Sequence, residues 1–225
     1  MIPARHEAES LSVLIPIIEV LGQRIIEIIV VVDNEKDSTL ELQDSLDFLG
    51  TNLKFVISGK SGIASALNAG VENSKSNYIL ICMADEILPI LEIDNFIEKL
   101  IAGAKLVSAT RYRGGGKRYG GSSLGQFFSK LANWILFRVF SWGFSDATSG
   151  MKAFRKSDWD ILSANISYGG WAPALAIARN AKKAGFKVDE VPVISVDRVV
   201  GGKSSFRFWH WIQQYISALI GKGLN

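Results

Sequence analysis

Short apolar runs alternate, in the first half of the chain, with longer segments in which apolar residues recur at helical spacing. The apolar runs predict strands over residues 27–32, 53–58, 78–83 and 105–110. The segments between them predict helices over residues 38–50, with Asp37 or Ser38 as the cap, 62–74 and 93–103. This order is typical of βα units around a mainly parallel sheet, and the nearly continuous apolar strands indicate that both faces of the sheet are covered.

The second half of the chain differs in composition from the first half. A glycine-rich basic loop over residues 114–123 precedes an aromatic-rich helical segment over residues 124–144. A turn then leads into a short strand over residues 145–156, a helix over 171–186 and one or two strands over 187–198. At the other end, only Met1 and Ile2 precede the turn at Pro3, so the first strand is either unusually short or cut back.

Length and composition favour one domain. A chain of 225 residues with 48% apolar content buries one sizeable core. The mean hydropathy of +0.20 is high for a soluble protein. No run of about 18 uncharged apolar residues occurs, however, so the sequence does not predict a membrane-spanning helix. The charged start, with Arg5 and Glu7, does not resemble a signal peptide, and the single Cys82 fits a reducing compartment. We therefore expect a cytoplasmic location.

Positive charge is concentrated in one stretch of the chain. The net charge is only +3, yet no acidic residue occurs between Lys99 and Ser145. The eight basic residues there are Lys99, Lys105, Arg111, Arg113, Lys117, Arg118, Lys130 and Arg138. A stretch with eight basic and no acidic residues favours binding to an anionic partner. The alternative is a basic loop that is only solvated. We expect no nucleic acid partner.

Polar residues follow four predicted strands at the edge where an open α/β sheet binds its ligands. They are Pro3, Ala4, Arg5 and Glu7, then Asp33, Asn34 and Asp37, then Gly59, Lys60, Ser61 and Gly62, and finally Asp85 and Glu86. Carboxylates, a lysine in a glycine turn and the amides of a helix N-terminus are the groups that hold a base, a ribose and a diphosphate with its metal.

Six ordered motifs carry a resemblance that covers essentially the whole chain. They are IPARHEAESL, EIIVVVDNEKDST, GKSGIASALNAGVENSKSNYILICMADEILP, SATRYRGGG, SDATSGMKAFR and VDRVVGGKSSF. The chain resembles the family 2 glycosyltransferases, with the dolichyl- or polyprenyl-phosphate mannosyl- and glucosyltransferases as the most similar branch. The resemblance implies a GT-A fold, a nucleotide-sugar donor, Mg²⁺ or Mn²⁺, and inverting transfer to a lipid phosphate.

The resemblance also implies residues for the donor site. The expected donor contacts are Pro3, Ala4, Glu7, Asp33, Lys60, Gly62, Asp85, Arg198 and Lys203. Asp85 matches the aspartate that ligates the metal, with Glu86 as a second candidate ligand. Met83 stands where the first aspartate of that motif is expected, and thioethers do not suit Mg²⁺ or Mn²⁺. The alternative for Asp85 and Glu86 is a capped turn.

On the acceptor side, Arg111 and Ser129 match residues that meet the acceptor phosphate, and Asp146 matches an aspartate beside it. An ionised phosphate needs positioning more than a general base, whereas a sugar hydroxyl acceptor would make Asp146 the candidate base. An Asx turn is the alternative role of Asp146. Ala174 stands where the family often has an acid.

Residues 1–225 are therefore expected to form one GT-A domain: residues 1–110 bind the nucleotide sugar, residues 111–205 form the acceptor side, and residues 206–225 form an amphipathic helix. That helix is expected either at a membrane interface or packed on the core or on a second copy in a homodimer. The expected function is transfer of a hexose from GDP-mannose or UDP-glucose to a polyprenyl phosphate by an enzyme peripheral to a membrane. The alternatives are a catalytically weakened nucleotide-binding or scaffold protein, and a glycosyltransferase with a sugar hydroxyl acceptor.

Overall fold

The fold is an α/β structure with helices on both faces of one sheet, as seen in a computed structural model. The structure describes residues 1–21, 24–46, 52–121, 123–166, 172–196 and 215–220. Its strands are β1 (Ile2–Pro3), β2 (Ile28–Val32), β3 (Leu53–Ile57), β4 (Tyr78–Ile81), β5 (Leu106–Thr110), β6 (Lys117–Tyr119), β7 (Lys152–Arg155), β8 (Val188–Pro192) and β9 (Ile194–Val196). Its helices are α1 (Ala8–Leu21), α2 (Leu42–Ser45), α3 (Ile63–Asn73), α4 (Ile93–Ile101), α5 (Ser123–Arg138), α6 (Trp159–Leu162) and α7 (Ala172–Lys183).

The short first strand lies at the centre of the sheet. β1 pairs in parallel with β2, and β2 with β3. On its other side, the Met1 amine donates to the Leu80 carbonyl at 2.7 Å, and the Cys82 N–H donates to the Met1 carbonyl at 2.9 Å. These two bonds join β1–β2–β3 to the sheet β4–β7–β5–β8, in which only β7 runs antiparallel to its neighbours. The predicted mainly parallel GT-A-type sheet is therefore confirmed.

Two apolar layers cover the sheet because alternate strand residues point to opposite faces. In β2, Val30 and Val32 pack in one cluster, whereas Ile29 and Val31 pack with Ala66 of α3 on the other face. The first layer contains α1 and α4, and the second contains α3 and α7. Most predicted strands and helices are present within a few residues; α1, β6 and the short α6 were not predicted. None of the helices in the described ranges is long and apolar enough to cross a bilayer.

An apolar cavity of about 160 Å³ lies at the amino-terminal edge of the sheet. Its lining includes Ile2, Ile28, Tyr78 and Phe96. The polar residues at the strand ends lie at the opposite edge, so this cavity is separate from the candidate site.

Two neighbouring residues of α4 test the packing of the first layer. Leu100 is 2% exposed and Ile101 is 64% exposed. We expect Leu100→Ala to lower the free energy of unfolding by about 2–5 kcal/mol, because it leaves a cavity in the core. Ile101→Ala should change it by less than about 0.5 kcal/mol. Urea denaturation of both variants measures this, and equal effects would contradict the assigned helix face.

Candidate functional site

The turn after β1 is held against the segment after β2 by one buried carboxylate. Asp37 is 3% exposed and accepts hydrogen bonds from the backbone N–H of His6 at 3.0 Å and of Thr39 at 2.9 Å. The Glu7 N–H donates to the Thr39 hydroxyl at 3.1 Å. Burial alone would raise the pKa of Asp37, but hydrogen bonds from Thr39 and His6 bring that pKa below its ordinary value. The predicted donor residues Pro3, Ala4 and Glu7 therefore lie on or beside a fixed turn.

The ends of β2 and β3 meet at the N-terminus of α3. Asp33 accepts from the Ser61 hydroxyl at 2.9 Å and from the Gly62 N–H at 3.3 Å. Gly62 caps α3 with φ of 109°, a conformation that favours glycine. Lys60 lies exposed in the same turn. Asp33, Lys60 and Gly62 are thus brought together, as the sequence predicts, beside a helix terminus that favours anions.

Two neighbouring carboxylates, Asp85 and Glu86, follow β4. Both are half-buried, and Glu86 accepts a hydrogen bond from the Ser195 hydroxyl of β9 at 2.9 Å. Burial raises the pKa of Glu86 above its ordinary value, although Arg111 and Ser195 act in the opposite direction. Glu86 is directed at β9, and its role as a metal ligand stays a prediction.

Met83 is a core residue. Its side chain is 7% exposed and packs in the second apolar layer with Leu67 and Ile81. Met83 and Ala174, at two positions where the family pattern has acids, line the same small cavity of about 20 Å³. An apolar contact therefore occupies this region, and a polar group placed at either position alone would be buried there.

The strand ends have the chemistry to hold a divalent cation together with a diphosphate. Mg²⁺ is commonly bound by one or two carboxylates and substrate phosphates, with water completing its shell. Asp85 supplies one carboxylate of this kind at the end of β4. Over the described ranges, no group of three or more His, Cys, Asp or Glu side chains could hold a metal alone. The residues therefore fit a metal shared with a bound nucleotide.

Arg111 and Asp146, in the half of the chain that is predicted to bind the acceptor, form a buried ion pair. Arg111 Nε lies 2.7 Å from Asp146 Oδ2, and Arg111 Nη2 lies 3.0 Å from Asp146 Oδ1. The exposed fraction is 11% for the Arg111 side chain and zero for that of Asp146. This two-bond geometry fixes the plane of the guanidinium. Arg111 Nη1 takes part in neither bond.

The ion pair shifts both protonation equilibria. Burial alone would raise the pKa of Asp146, but Arg111 brings that pKa below its ordinary value. Burial would lower the pKa of Arg111, yet Asp146 raises it above its ordinary value. Asp146 is thus a weak base that is fully buried and hydrogen-bonded. Its geometry favours a positioning role over general base catalysis.

Helix α5 completes the surroundings of the pair. The side-chain amide of Asn133 donates to the Thr148 hydroxyl at 2.9 Å, and its carbonyl accepts from the Ala147 N–H at 2.8 Å. One turn earlier, the Ser129 hydroxyl accepts from the Tyr112 hydroxyl at 2.8 Å. The predicted acceptor residues Arg111 and Ser129 therefore lie on either side of Tyr112. Asn133 was not predicted, although its spacing of four from Ser129 places both on one helix face.

Some predicted site residues lie outside the described part of the chain. Arg198 and Lys203 are among them, as is most of the predicted helix over residues 206–225. Within it, residues 215–220 are helical, and Ala218 and Tyr215 pack in the second apolar layer. The Arg179 guanidinium donates to the Ala218 carbonyl. The described part of this segment is thus packed on α7.

Comparisons with known proteins agree with this architecture. Residues 1–162 match the family described as Glycosyl transferase family 2. Among solved structures, the chain is similar to glucosyl-3-phosphoglycerate synthase from Mycobacterium tuberculosis in complex with Mn²⁺, UDP-glucose and phosphoglyceric acid. That match has a TM-score of 0.70 and 14% identity, and covers 98% of this chain and 77% of the other.

The same synthase also matches in complex with Mg²⁺ and UDP, with a TM-score of 0.68 and 14% identity. This match covers 99% of the chain described here and 77% of the synthase. At these identities the likeness shows a shared fold.

The buried ion pair yields a stability prediction. We expect Asp146→Asn to lower the free energy of unfolding by about 3–5 kcal/mol, because it leaves the buried Arg111 charge without the carboxylate that is hydrogen-bonded to it. Asp189→Asn is the matched control, since Asp189 is 43% exposed in its ion pair with Lys99. Its cost should be at most about 1 kcal/mol. Urea denaturation of the two variants compares them, and a small loss for Asp146→Asn would contradict the pair's assigned strength.

Proposed function

The chain belongs to glycosyl transferase family 2, and from that premise we propose that it transfers a hexose from GDP-mannose or UDP-glucose to a polyprenyl phosphate at a membrane surface. The observation that carries the proposal is that Asp33 with the N-terminus of α3, which suits a diphosphate, and the buried Arg111–Asp146 pair lie at the same edge of the sheet.

The donor assignment is supported by the strand ends of the first half. Asp33 at the end of β2 presents a carboxylate of the kind that accepts hydrogen bonds from a base or ribose. The N-terminus of α3 and Lys60 suit the negative charge of a diphosphate. The similar synthase structures contain UDP or UDP-glucose with Mn²⁺ or Mg²⁺, which makes a metal-bound nucleotide sugar the natural probe.

Asp85 is the proposed protein ligand of that metal. A bound divalent cation would neutralise charge on the departing nucleoside diphosphate. The protein's own contribution is to hold Asp85 in the segment after β4, which runs beside β1 and is joined to it by the bond from the Cys82 N–H to the Met1 carbonyl. We do not include Met83, because it is packed in the apolar layer.

The acceptor assignment is supported by charge and by the protonation state of Asp146. A phosphate oxygen is already ionised at neutral pH, so it can attack the anomeric carbon without a general base while the nucleoside diphosphate leaves. Asp146, with its lowered pKa and full burial, suits this reaction because it holds Arg111 and need not accept a proton. Arg111, together with Ser129, would orient the acceptor phosphate.

Helix α5 supports a membrane surface. Its residues Ser129 and Asn133 face the candidate site, while Phe127, Leu131 and Trp134 are 60%, 41% and 56% exposed. An amphipathic helix of a protein in water normally buries its apolar face. In α5, Leu136 is buried in this way, but these three large apolar residues face outward. Exposed apolar and aromatic residues interleaved with bases are typical of helices at a lipid interface. The neighbouring exposed bases are Lys130 and Arg138.

We therefore propose a peripheral location at the cytoplasmic face of a membrane, with α5 directed at the lipid. The acceptor would then stand beside α5, where its phosphate can reach Arg111 while its isoprenoid chain stays in the bilayer. The alternative is that a second copy of the chain, and not lipid, covers this face of α5. The vesicle experiment below distinguishes lipid binding from dimer formation.

A single carboxylate tests the enzymatic proposal. We expect purified protein with Mn²⁺, polyprenyl phosphate and GDP-mannose or UDP-glucose to form a lipid-linked sugar, and we expect Asp85→Ala to abolish this transfer. The same variant should lose the Mn²⁺-dependent rise in melting temperature given by the active nucleotide sugar, because ligand binding stabilises the folded state. Asp94→Asn, an exposed carboxylate on α4, is the matched control and should behave as the wild type.

The possible results of that experiment separate the candidate functions. Unchanged transfer in Asp85→Ala would overturn the metal assignment. Nucleotide binding without transfer to any acceptor would favour the weakened binding protein. Transfer to a sugar hydroxyl or to phosphoglycerate, in place of the lipid, would overturn the acceptor assignment and keep the donor.

The exposed face of α5 gives a second prediction. We expect the triple variant Phe127→Ser, Leu131→Ser and Trp134→Ser to lose binding to vesicles of phosphatidylglycerol and phosphatidylcholine, measured by co-sedimentation. The control triple variant replaces Val20, Leu91 and Ile161, which are also exposed, by serine and should bind as the wild type. Equal binding by both triple variants would contradict the assignment, and loss of a dimer in place of vesicle binding would assign the face to a second copy.

A further inference from the structure

A row of polar side chains crosses the sheet beneath the segment that carries Asp146. Lys152 of β7 pairs with Ser108 of β5, and Ser108 pairs with Glu190 of β8. Residues paired across neighbouring strands have their side chains on the same face. Lys152, Ser108 and Glu190 therefore lie side by side on one face, and we call them the polar row.

Glu190 holds the backbone just before and at Asp146. Its Oε1 accepts hydrogen bonds from the N–H of Ser145 at 2.9 Å and of Asp146 at 3.1 Å. Its Oε2 accepts from the Ser145 hydroxyl at 2.7 Å. Three hydrogen bonds that one carboxylate accepts fix the position of this short segment against β8. The position of the Asp146 carboxylate, and through it that of Arg111, depends on them.

Lys152 is the cation at the other end of the row. It is fully buried, and its Nζ donates to the Ser108 hydroxyl at 2.8 Å and lies 5.7 Å from the centroid of the Phe144 ring. The carboxylates of Asp146 and Glu190 favour its charged form. A buried lysine is costly unless opposite charges compensate it, so its presence here indicates that the row is electrically coupled to the pair above.

We propose that Glu190 and Lys152 are positioning residues of the acceptor site, which act through Ser145 and Ser108 to hold the Asp146–Arg111 pair in the geometry that grips the acceptor phosphate. This inference rests on the proposed transfer to a lipid phosphate. It adds residues from β7 and β8, and it explains why a charged row is maintained inside an otherwise apolar layer.

Replacing the charge while keeping the shape tests the role of Glu190. Glu190→Gln retains an oxygen for the two backbone donors, and its amide can donate to the Ser145 hydroxyl. We expect kcat to fall about 10- to 100-fold, as for misplaced reacting groups, while the dissociation constant of the nucleotide sugar, measured by calorimetry, stays unchanged. Asp189→Asn, the neighbouring carboxylate with its side chain partly exposed in an ion pair with Lys99, should alter neither value.

The coupling can be measured without substrate. Burial lowers the pKa of Lys152 to about 8. Asp146 and Glu190 raise this pKa, whereas Arg111 lowers it further. Glu190→Gln should lower the Lys152 pKa further, because it removes a negative charge that favours the ammonium. NMR titration of ¹³C-labelled lysine measures this shift, and Asp189→Asn should leave the titration unchanged.

The outcomes separate this inference from the proposed function. If the wild-type protein transfers no sugar to the lipid, the proposed function is overturned. The NMR titration then tests the coupling between Glu190 and Lys152 independently of activity. An unchanged kcat in Glu190→Gln, or a Lys152 titration that Glu190→Gln does not move, overturns the positioning role. A loss of nucleotide binding equal to the loss of kcat would also overturn it, because the effect would then be general. Lys152→Met, the uncharged variant of similar length, provides the second test and should lower kcat in the same way.

Discussion

The buried pair of Arg111 and Asp146 is the interaction on which the second half of the structure depends. An arginine side chain that is 11% exposed must be compensated, and Asp146 compensates it through two side-chain hydrogen bonds and a third from the Arg111 backbone N–H at 3.2 Å. Asp146 is in turn held from β8, β5 and α5. One ion pair thereby ties the end of β5 to the segment before β7, which fixes these two segments relative to each other.

The parallel sheet supplies the other constraint. Because β1, β2, β3 and β4 all end at one edge, the residues that follow them converge without long loops. Asp37 fixes the first turn, Asp33 fixes the second, and Asp85 lies in the segment that follows β4. The two halves therefore differ in character: the first presents carboxylates and helix amides to a ligand, while the second presents a compensated cation beside an outward-facing apolar helix.

Much of this could be predicted from the sequence, since local signals determine it. Apolar runs gave β2 to β5, and the polar residues after them gave the strand-end site with Asp33, Lys60, Gly62 and Asp85. The short β1 was harder, because two residues leave almost no periodicity, and its central position depends on hydrogen bonds to partners about 30 and 80 residues away. The sequence drew attention to both Arg111 and Asp146, but the ion pair between them was not predicted.

The polar row could not be predicted, because Lys152 and Glu190 lie in short strands whose pairing is set by the tertiary fold. A lysine next to a strand reads as an exposed base until the sheet order shows that it is buried. Met83 was interpreted as the loss of an expected carboxylate, and its burial against Leu67 gives it a packing role that sequence spacing alone does not reveal.

The central claim is that the attacking atom is a phosphate oxygen of a lipid. The most direct measurement incubates the wild-type protein with radiolabelled GDP-mannose or UDP-glucose and Mn²⁺, in parallel with polyprenyl phosphate and with the same polyprenol lacking the phosphate. We expect label in the organic phase only with the phosphorylated lipid, and a ³¹P NMR signal of a phosphodiester in the product. Label transferred equally to the unphosphorylated alcohol, or to neither lipid, would contradict the claim.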